Sequence, residues 1–134
     1  MAVGTRGLLH HIELWVSDLA LAEASLGWLL AELGYVAGER WPSGVSYQGA
    51  GEYIVLEAGP DVLPGPHERC RPGLNHLAFH AGPAAELDTL VRAAADHGWT
   101  AMFADKYPFA GGNGHYAAYL ENAAGFEVEL VAEN

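Results

Sequence analysis

The chain of 134 residues is poor in positive charge. It has six Lys and Arg residues against 17 Asp and Glu residues, which gives a formal net charge of −11. Nucleic-acid binding requires a basic surface that displaces counterions from the phosphates, and anionic membranes attract basic segments in the same way. We therefore expect neither nucleic acid nor a membrane surface as a partner.

Cysteine and long apolar runs are also scarce. Cys70 is the single cysteine, which excludes an intrachain disulfide framework and a cysteine-rich zinc or iron–sulfur site. No window approaches the ~20 consecutive apolar residues that a membrane-spanning helix needs, and the first residues do not resemble a secretory signal. We expect a cytoplasmic protein with one globular domain over residues 1–134.

A single order of elements occurs twice along the chain. In the first half a strand over residues 9–16 precedes a helix that Gly34 ends, and three short strand candidates follow, the last at residues 53–57. In the second half Leu74-Asn75-His76-Leu77-Ala78-Phe79-His80 restates Leu9-His10-His11-Ile12-Glu13-Leu14-Trp15, and a helix opened by Pro83 and closed by Gly98 precedes further strands.

The connector between the halves, residues 59–72, is rich in proline and lacks a periodic pattern. Repetition on both sides of it predicts an α+β fold built from two tandem βαβββ modules, residues 8–58 and 73–132. We expect them to form a cupped, mixed eight-stranded sheet with both helices on its convex face.

Alternation along the strands separates an apolar face from a polar one. Ile12, Leu14 and Val16 should face the helix, which leaves His11, Glu13 and Trp15 on the polar side. The same reasoning places His76, His80, Glu127 and Glu129 on the polar side of the second module, and Glu57 on the polar side of the first.

Two histidines and two glutamates on such faces are a plausible five- or six-coordinate site for one divalent ion: Ni, Zn, Co, Fe or Mn. The bland alternatives are a surface histidine and a solvated carboxylate. Repetition at equivalent positions favours metal ligation for His11 and His76. For Glu57 ligation and a structural role are about equally expected, and Glu127 is expected to be an exposed charge at the rim.

Four segments resemble the vicinal oxygen chelate superfamily, which includes glyoxalase I, bleomycin-resistance proteins and extradiol dioxygenases. They are Leu-His-His-Ile-Glu-Leu-Trp-Val-Ser-Asp (9–18), Tyr-Ile-Val-Leu-Glu (53–57), Leu-Asn-His-Leu-Ala-Phe (74–79) and Gly-Phe-Glu-Val-Glu-Leu-Val (125–131). The resemblance implies metal ligation by His11, His76 and Glu129, with Glu57 as a fourth ligand. It also implies a homodimer, in which the ligands come from one chain or are shared between two.

The function implied is a metal-dependent lyase or isomerase that acts on a small oxygen-chelating carbonyl substrate through a stabilised enediolate. Glu13, Glu57 and His115 are candidates for moving the proton, and Tyr119 lies at a spacing from Glu129 that predicts the same surface. Trp15, Tyr47 and His80 are expected to line the substrate pocket, and for Tyr47 the favoured interpretation is apolar lining with a hydrogen-bonded hydroxyl.

Two other functions within the resemblance stay open. An extradiol-type dioxygenase with Fe(II) would use the same ligands, but such enzymes are commonly longer. A bleomycin-resistance-like protein would sequester a cationic ligand without catalysis, which suits the acidic composition. A sequestering protein has no need of ligands at metal positions, so the residues favour catalysis.

Overall fold

Two βαβββ modules make up the computed structural model, which describes residues 4–133. The first module contains β1 (His11–Trp15), a helical segment, β2 (Val36–Trp41), β3 (Gly44–Gln48) and β4 (Tyr53–Glu57). The second contains β5 (His76–Pro83), a helix, β6 (Trp99–Met102), β7 (Ala117–Asn122) and β8 (Glu127–Glu133). The predicted α+β class and the repeated order of elements are confirmed.

The helices begin and end at residues that the sequence marks. The first helical segment consists of α1 (Leu19–Ala22), a π-helical turn (Glu23–Gly27) and α2 (Trp28–Glu32). Asp18 caps it by accepting a hydrogen bond from the Leu21 amide at 3.0 Å, and Gly34 follows it with a φ of +98°. In the second module α3 (Ala84–Ala94) is followed by a 3₁₀ turn (Ala95–His97). No helix within residues 4–133 has both the length and the apolar character to cross a membrane.

The eight strands form two four-stranded mixed sheets. Sheet 1 has the order β1-β4-β3-β2 and sheet 2 the order β5-β8-β7-β6. In each sheet the first pair is parallel and the other pairs are antiparallel. The pairing of β2 with β3 changes register between Ala37 and Arg40, which marks a bulge in the edge strand β2.

One hydrophobic core joins the two modules. Leu14 and Leu56 of sheet 1, Leu26, Leu29 and Leu30 of the first helical segment, and Leu87 and Leu130 of the second module belong to the same buried cluster. Burial of this apolar surface is the main stabilising contribution to the fold.

Ser25, in the π-helical turn, links the first helical segment to sheet 2. Its carbonyl oxygen accepts a hydrogen bond from Trp99 Nε1 at 3.1 Å, and its hydroxyl accepts one from Asn122 Nδ2 at 3.2 Å. Trp99 and Asn122 lie on the apolar face of sheet 2 that also carries α3. The first helical segment therefore contacts both sheets.

Two tethers hold the long connections in place. In the connector the His67 amide donates to the Ala124 carbonyl at 2.8 Å, and the His67 ring stacks on Phe126. Gly125 lies against this contact with a φ of +93°, and a Cβ at this position would come within 2.2 Å of the His67 carbonyl oxygen. In the second module Asp88 of α3 accepts hydrogen bonds from the hydroxyls of Tyr107 and Tyr116, which fixes the loop between β6 and β7.

The seam between the modules is testable at Ser25. The substitution Ser25→Ala leaves the buried Asn122 amide nitrogen without its acceptor, so we expect the free energy of unfolding to fall by about 1–3 kcal/mol. Urea unfolding measures this change. Thr89→Ala is the control, because it removes an exposed hydroxyl that bonds only to other residues of α3. Its free energy of unfolding should change by about 0.5 kcal/mol or less. Equal effects of the two substitutions would contradict the seam.

The loop tether is testable through pH. Hydrogen bonds from Tyr107 and then Tyr116 lower the pKa of Asp88 below its ordinary 3.8. A carboxyl with a lowered pKa in the folded state stabilises the fold above its unfolded pKa, and this contribution is lost as the pH falls through the folded value. Asp88→Asn should therefore lose less stability than the wild type between about pH 5 and pH 2. Asp61→Asn, at an exposed position, is the control; an unchanged pH dependence in Asp88→Asn would refute the tether.

Candidate functional site

Glu129 joins two histidines on the polar face of sheet 2. Its carboxylate is 7% exposed, with Oε1 3.2 Å from His76 Nε2 and Oε2 2.5 Å from His115 Nε2. His76 comes from β5, Glu129 from the neighbouring β8, and His115 from the loop that leads into β7. The alternation predicted from sequence thus brings Glu129 and His76 together, and the loop adds His115.

The orientation of the His76 ring is set by Asn75. The Asn75 amide nitrogen donates to the Arg69 carbonyl at 3.1 Å, so its oxygen is turned toward His76 Nδ1, 2.7 Å away. An amide oxygen only accepts, which places a hydrogen on Nδ1 and leaves the Nε2 lone pair facing Glu129. The His76 Nε2 and Glu129 Oε1 lone pairs, 3.2 Å apart, are donors of the kind that divalent ions bind. Asn75 was not singled out from the sequence, although its position directly before His76 offered the signal.

Tyr119 completes the wall of this site. It pairs with Glu129 across β7 and β8, and its pKa is raised by burial and by the neighbouring Glu129 carboxylate. The phenol therefore stays protonated and can donate a hydrogen bond. The loop backbone closes over it, since a Cβ on Gly111 would lie 2.5 Å from the Tyr119 hydroxyl and 2.8 Å from the His115 ring. We define the Glu129 cluster as His76, His115, Tyr119 and Glu129.

Glu127 differs from its expected role as an exposed rim charge, because it is buried. Arg69 reaches over from the connector and places Nη1 3.4 Å from Glu127 Oε1. Burial of a carboxylate beside His76 requires such a partner. The contact was missed from the sequence because Arg69 lies in a segment without a periodic pattern.

The polar face of sheet 1 carries a second, separate group. The His11 ring stacks on Tyr53 with a centroid distance of 4.7 Å, and its Nδ1 lies 2.9 Å from Nδ1 of His10. Further along β1 the Trp15 indole donates to Glu13 Oε2 at 2.6 Å. Both His11 and Glu13 are exposed. The Glu13 carboxylate is bonded to Trp15, and Arg40, a possible ion-pair partner, is paired with Glu23 and not with Glu13.

Glu57 does not occupy the position in sheet 1 that corresponds to Glu129. In sheet 2 the residue opposite Glu129 is Ala78, two after His76; in sheet 1 the residue opposite Glu13, two after His11, is Val55. Glu57 lies two residues further along β4, opposite Trp15, and accepts a hydrogen bond from Trp41 Nε1 at 2.9 Å. Its pKa is lowered by the Ser43 hydroxyl and then by the Trp41 indole. These contacts describe an ionised carboxylate that anchors the β2–β3 turn.

Two expected pocket residues lie elsewhere. Tyr47 was expected on the polar face, which is wrong: it pairs with Ile54 on the helix-facing side of sheet 1 and is 6% exposed in the core. Its hydroxyl packs against Gly27 of the π-helical turn. His80 is on the polar side of β5 but four residues beyond His76, about 13 Å along the strand, and lines the surface beside Leu33.

The four residues expected to bind metal are thus divided between the two polar faces. His76 and Glu129 are neighbours on sheet 2, whereas His11 and Glu57 lie on sheet 1. Within residues 4–133 no three or more His, Cys, Asp or Glu side chains are arranged to hold a metal ion. His76 and Glu129 carry donor atoms of the type that divalent ions prefer.

Residues 10–119 match the glyoxalase/bleomycin resistance protein/dioxygenase superfamily. The uncharacterized protein YqjT of Bacillus subtilis is 43% identical over 125 residues, which span 92% of this chain and 98% of YqjT. The crystal structure of a candidate glyoxalase from Bacillus halodurans is 38% identical and superposes with a TM-score of 0.90, covering 96% of this chain and 98% of that one.

A more distant structure, lactoylglutathione lyase from Agrobacterium tumefaciens, has the same fold. It is 21% identical, has a TM-score of 0.65 and covers 96% of each chain. The match over most of the sequence, the close relative and the paired βαβββ modules agree with one another. The chain belongs to the glyoxalase/bleomycin resistance protein/dioxygenase superfamily.

Proposed function

We propose that the protein is a metal-dependent, glyoxalase-like lyase or isomerase that acts on a small oxygen-chelating carbonyl compound. The observation that carries this proposal is the Glu129 carboxylate between His76 Nε2 and His115 Nε2. It combines a pair of metal-type donors with a second imidazole, the side chain best suited to proton transfer near neutral pH.

A divalent ion would be held by His76 and Glu129 of one protomer together with His11 of the partner subunit. Two imidazoles and one carboxylate form a set with open positions for a chelating substrate. Val55 supplies no donor where sheet 1 corresponds to Glu129, so Glu57 is left out of this ligand set. Bound there, the ion would supply Lewis-acid polarisation of a carbonyl oxygen.

Residues of the chain would carry out the remaining steps. The His115 imidazole would move the proton, taking one from the carbon beside the carbonyl and returning it to the neighbouring carbon. Tyr119, kept protonated by burial and by Glu129, would donate a hydrogen bond to a substrate oxygen. The loop over Gly111 and the Phe103 ring, which lies edge-on to Tyr119, would exclude water.

Edge strands allow the two half-sites to meet. β1 carries His11 and β5 carries His76, and each is the outer strand of its sheet. In a homodimer with twofold symmetry, β1 of one protomer beside β5 of its partner would place both histidines on one continuous polar surface, twice.

Ligand sequestration is a second candidate, favoured by the polar face of sheet 1. Trp15 is 49% exposed there, with its indole bonded to the Glu13 carboxylate. An exposed ring beside a carboxylate suits an organic cation, in keeping with the net charge of −11. Binding without turnover would favour this candidate.

Metal content and turnover test the division of roles. His76→Ala and Glu129→Gln should lose the divalent ion and the isomerisation of hemithioacetals of small 2-oxoaldehydes. His115→Ala should keep the ion and lose about 10²-fold or more in turnover, the usual contribution of a general acid or base. Glu57→Gln, the matched carboxylate control, should keep both. Stoichiometric metal in His76→Ala and Glu129→Gln, measured by elemental analysis, would refute the ligand assignment.

Subunit mixing tests the shared site. His11→Ala and His76→Ala homodimers should each be inactive, because every site lacks one ligand. In a mixed dimer one site lacks both ligands and the other is intact, so random reassociation should restore about a quarter of wild-type activity. Failure to restore activity, with mixed dimers confirmed by native mass spectrometry, would place the ligands otherwise.

A further inference from the structure

A cavity of about 480 Å³ lies at the seam between the modules, apart from both polar faces. Its walls come from the start of the first helical segment, the connector at Gly65 and Pro66, the turn after α3 and the β7–β8 turn. None of the residues of the Glu129 cluster lines it. The volume is within the range of pockets that hold small molecules, about 300–1,000 Å³.

The Ser17 and Ser25 hydroxyls and the Asn122 amide in the cavity walls are hydrogen-bonded within the protein. The Ser17 hydroxyl donates to the Gly65 carbonyl at 2.6 Å, and Ser25 and Asn122 bond across the seam. Apolar side chains make up much of the remaining lining, including Leu21, Ala24, Ala123 and Phe126. Leu21, a large apolar side chain in this lining, is 66% exposed.

The charges at the cavity are of one sign. Asp18 and Asp96 line it, and no Lys or Arg does. Asp18 uses Oδ1 to cap α1, which leaves Oδ2 for a ligand. His97, the remaining titratable residue in the lining, is stacked on Trp28 with a centroid distance of 4.1 Å.

We propose that this cavity binds a small amphipathic cation, with an aromatic or aliphatic body in the apolar part and an amine attracted by the exposed carboxylates of Asp18 and Asp96. The body would bury the surface of Leu21, Ala24 and Phe126. The ammonium group would be attracted by two carboxylates, and an anion of the same shape would be repelled by them. Because the walls belong to both modules, the ligand would contact both sides of the seam.

Calorimetric titration with three probes of one shape tests the proposal: 2-phenylethylamine, 2-phenylethanol and 3-phenylpropionate. The amine should bind most tightly, the alcohol more weakly and the carboxylate weakest. Asp18→Asn keeps the helix cap, since asparagine is an equally good N-cap residue. Asp18→Asn and Asp96→Asn should each weaken the amine about threefold, as expected for a solvent-accessible ion pair, and leave the alcohol unchanged.

A substitution that fills the cavity provides a second test of the proposal. Ala24 is exposed and lines the cavity, whereas Ala20 is exposed on the same helical segment and does not. Ala24→Leu should weaken both the amine and the alcohol about tenfold, and Ala20→Leu should leave both unchanged. Equal binding of amine and carboxylate, or binding unaffected by Ala24→Leu, would overturn the proposal. A change of oligomeric state in Ala24→Leu, seen by sedimentation, would also overturn it, because the cavity would then be a contact between copies.

Discussion

Packing of the first helical segment against both sheets is the constraint on which the rest of this structure depends. One side of the segment covers the apolar face of sheet 1, and Ser25 on the other side bonds to Trp99 and Asn122 of sheet 2. A helix that is apolar on more than one side must be buried on more than one side. His11 and His76 accordingly belong to the polar faces of two different sheets of the protomer.

This arrangement assigns different contributions to the two modules. Sheet 2 supplies a connected set of ionisable groups, in which Glu129 links His76, His115 and Tyr119. Sheet 1 supplies His11 on a more open surface, stacked on Tyr53. The sequence repeat therefore describes the backbone more closely than it describes the chemistry, because Val55 is found where the second module has a carboxylate.

The sequence predicted the fold and one half of the site for definite physical reasons. Alternation along a strand has a period of two, so the faces of His11, His76 and Glu129 followed from their neighbours. Alternation does not determine the register between strands, and for that reason Glu57 was aligned with Glu129 although it lies two residues beyond. For the same reason the face of Tyr47 is set by its cross-strand partner, Ile54, which the sequence alone does not identify.

Contacts made by irregular segments were beyond prediction. Arg69 approaches Glu127 from a proline-rich connector, and Asp88 binds two tyrosines of a loop whose path no periodicity describes. Each contact joins residues far apart in the sequence, so no local pattern announces it. Asn75 was closer to prediction, since a neighbour of a ligating histidine is well placed to set which nitrogen carries the hydrogen.

The bulge in β2 gives the two edges of sheet 1 different properties. Between Ala37 and Arg40 the ladder is interrupted, and Glu39 and Arg40 place charges on that edge. A kinked and charged edge is a poor template for a further strand, whereas β1 keeps an unbroken register with β4. Growth of the sheet is thus blocked on one side and open on the other. A sheet that can add a strand at only one edge does not extend into a fibre by repeated strand addition.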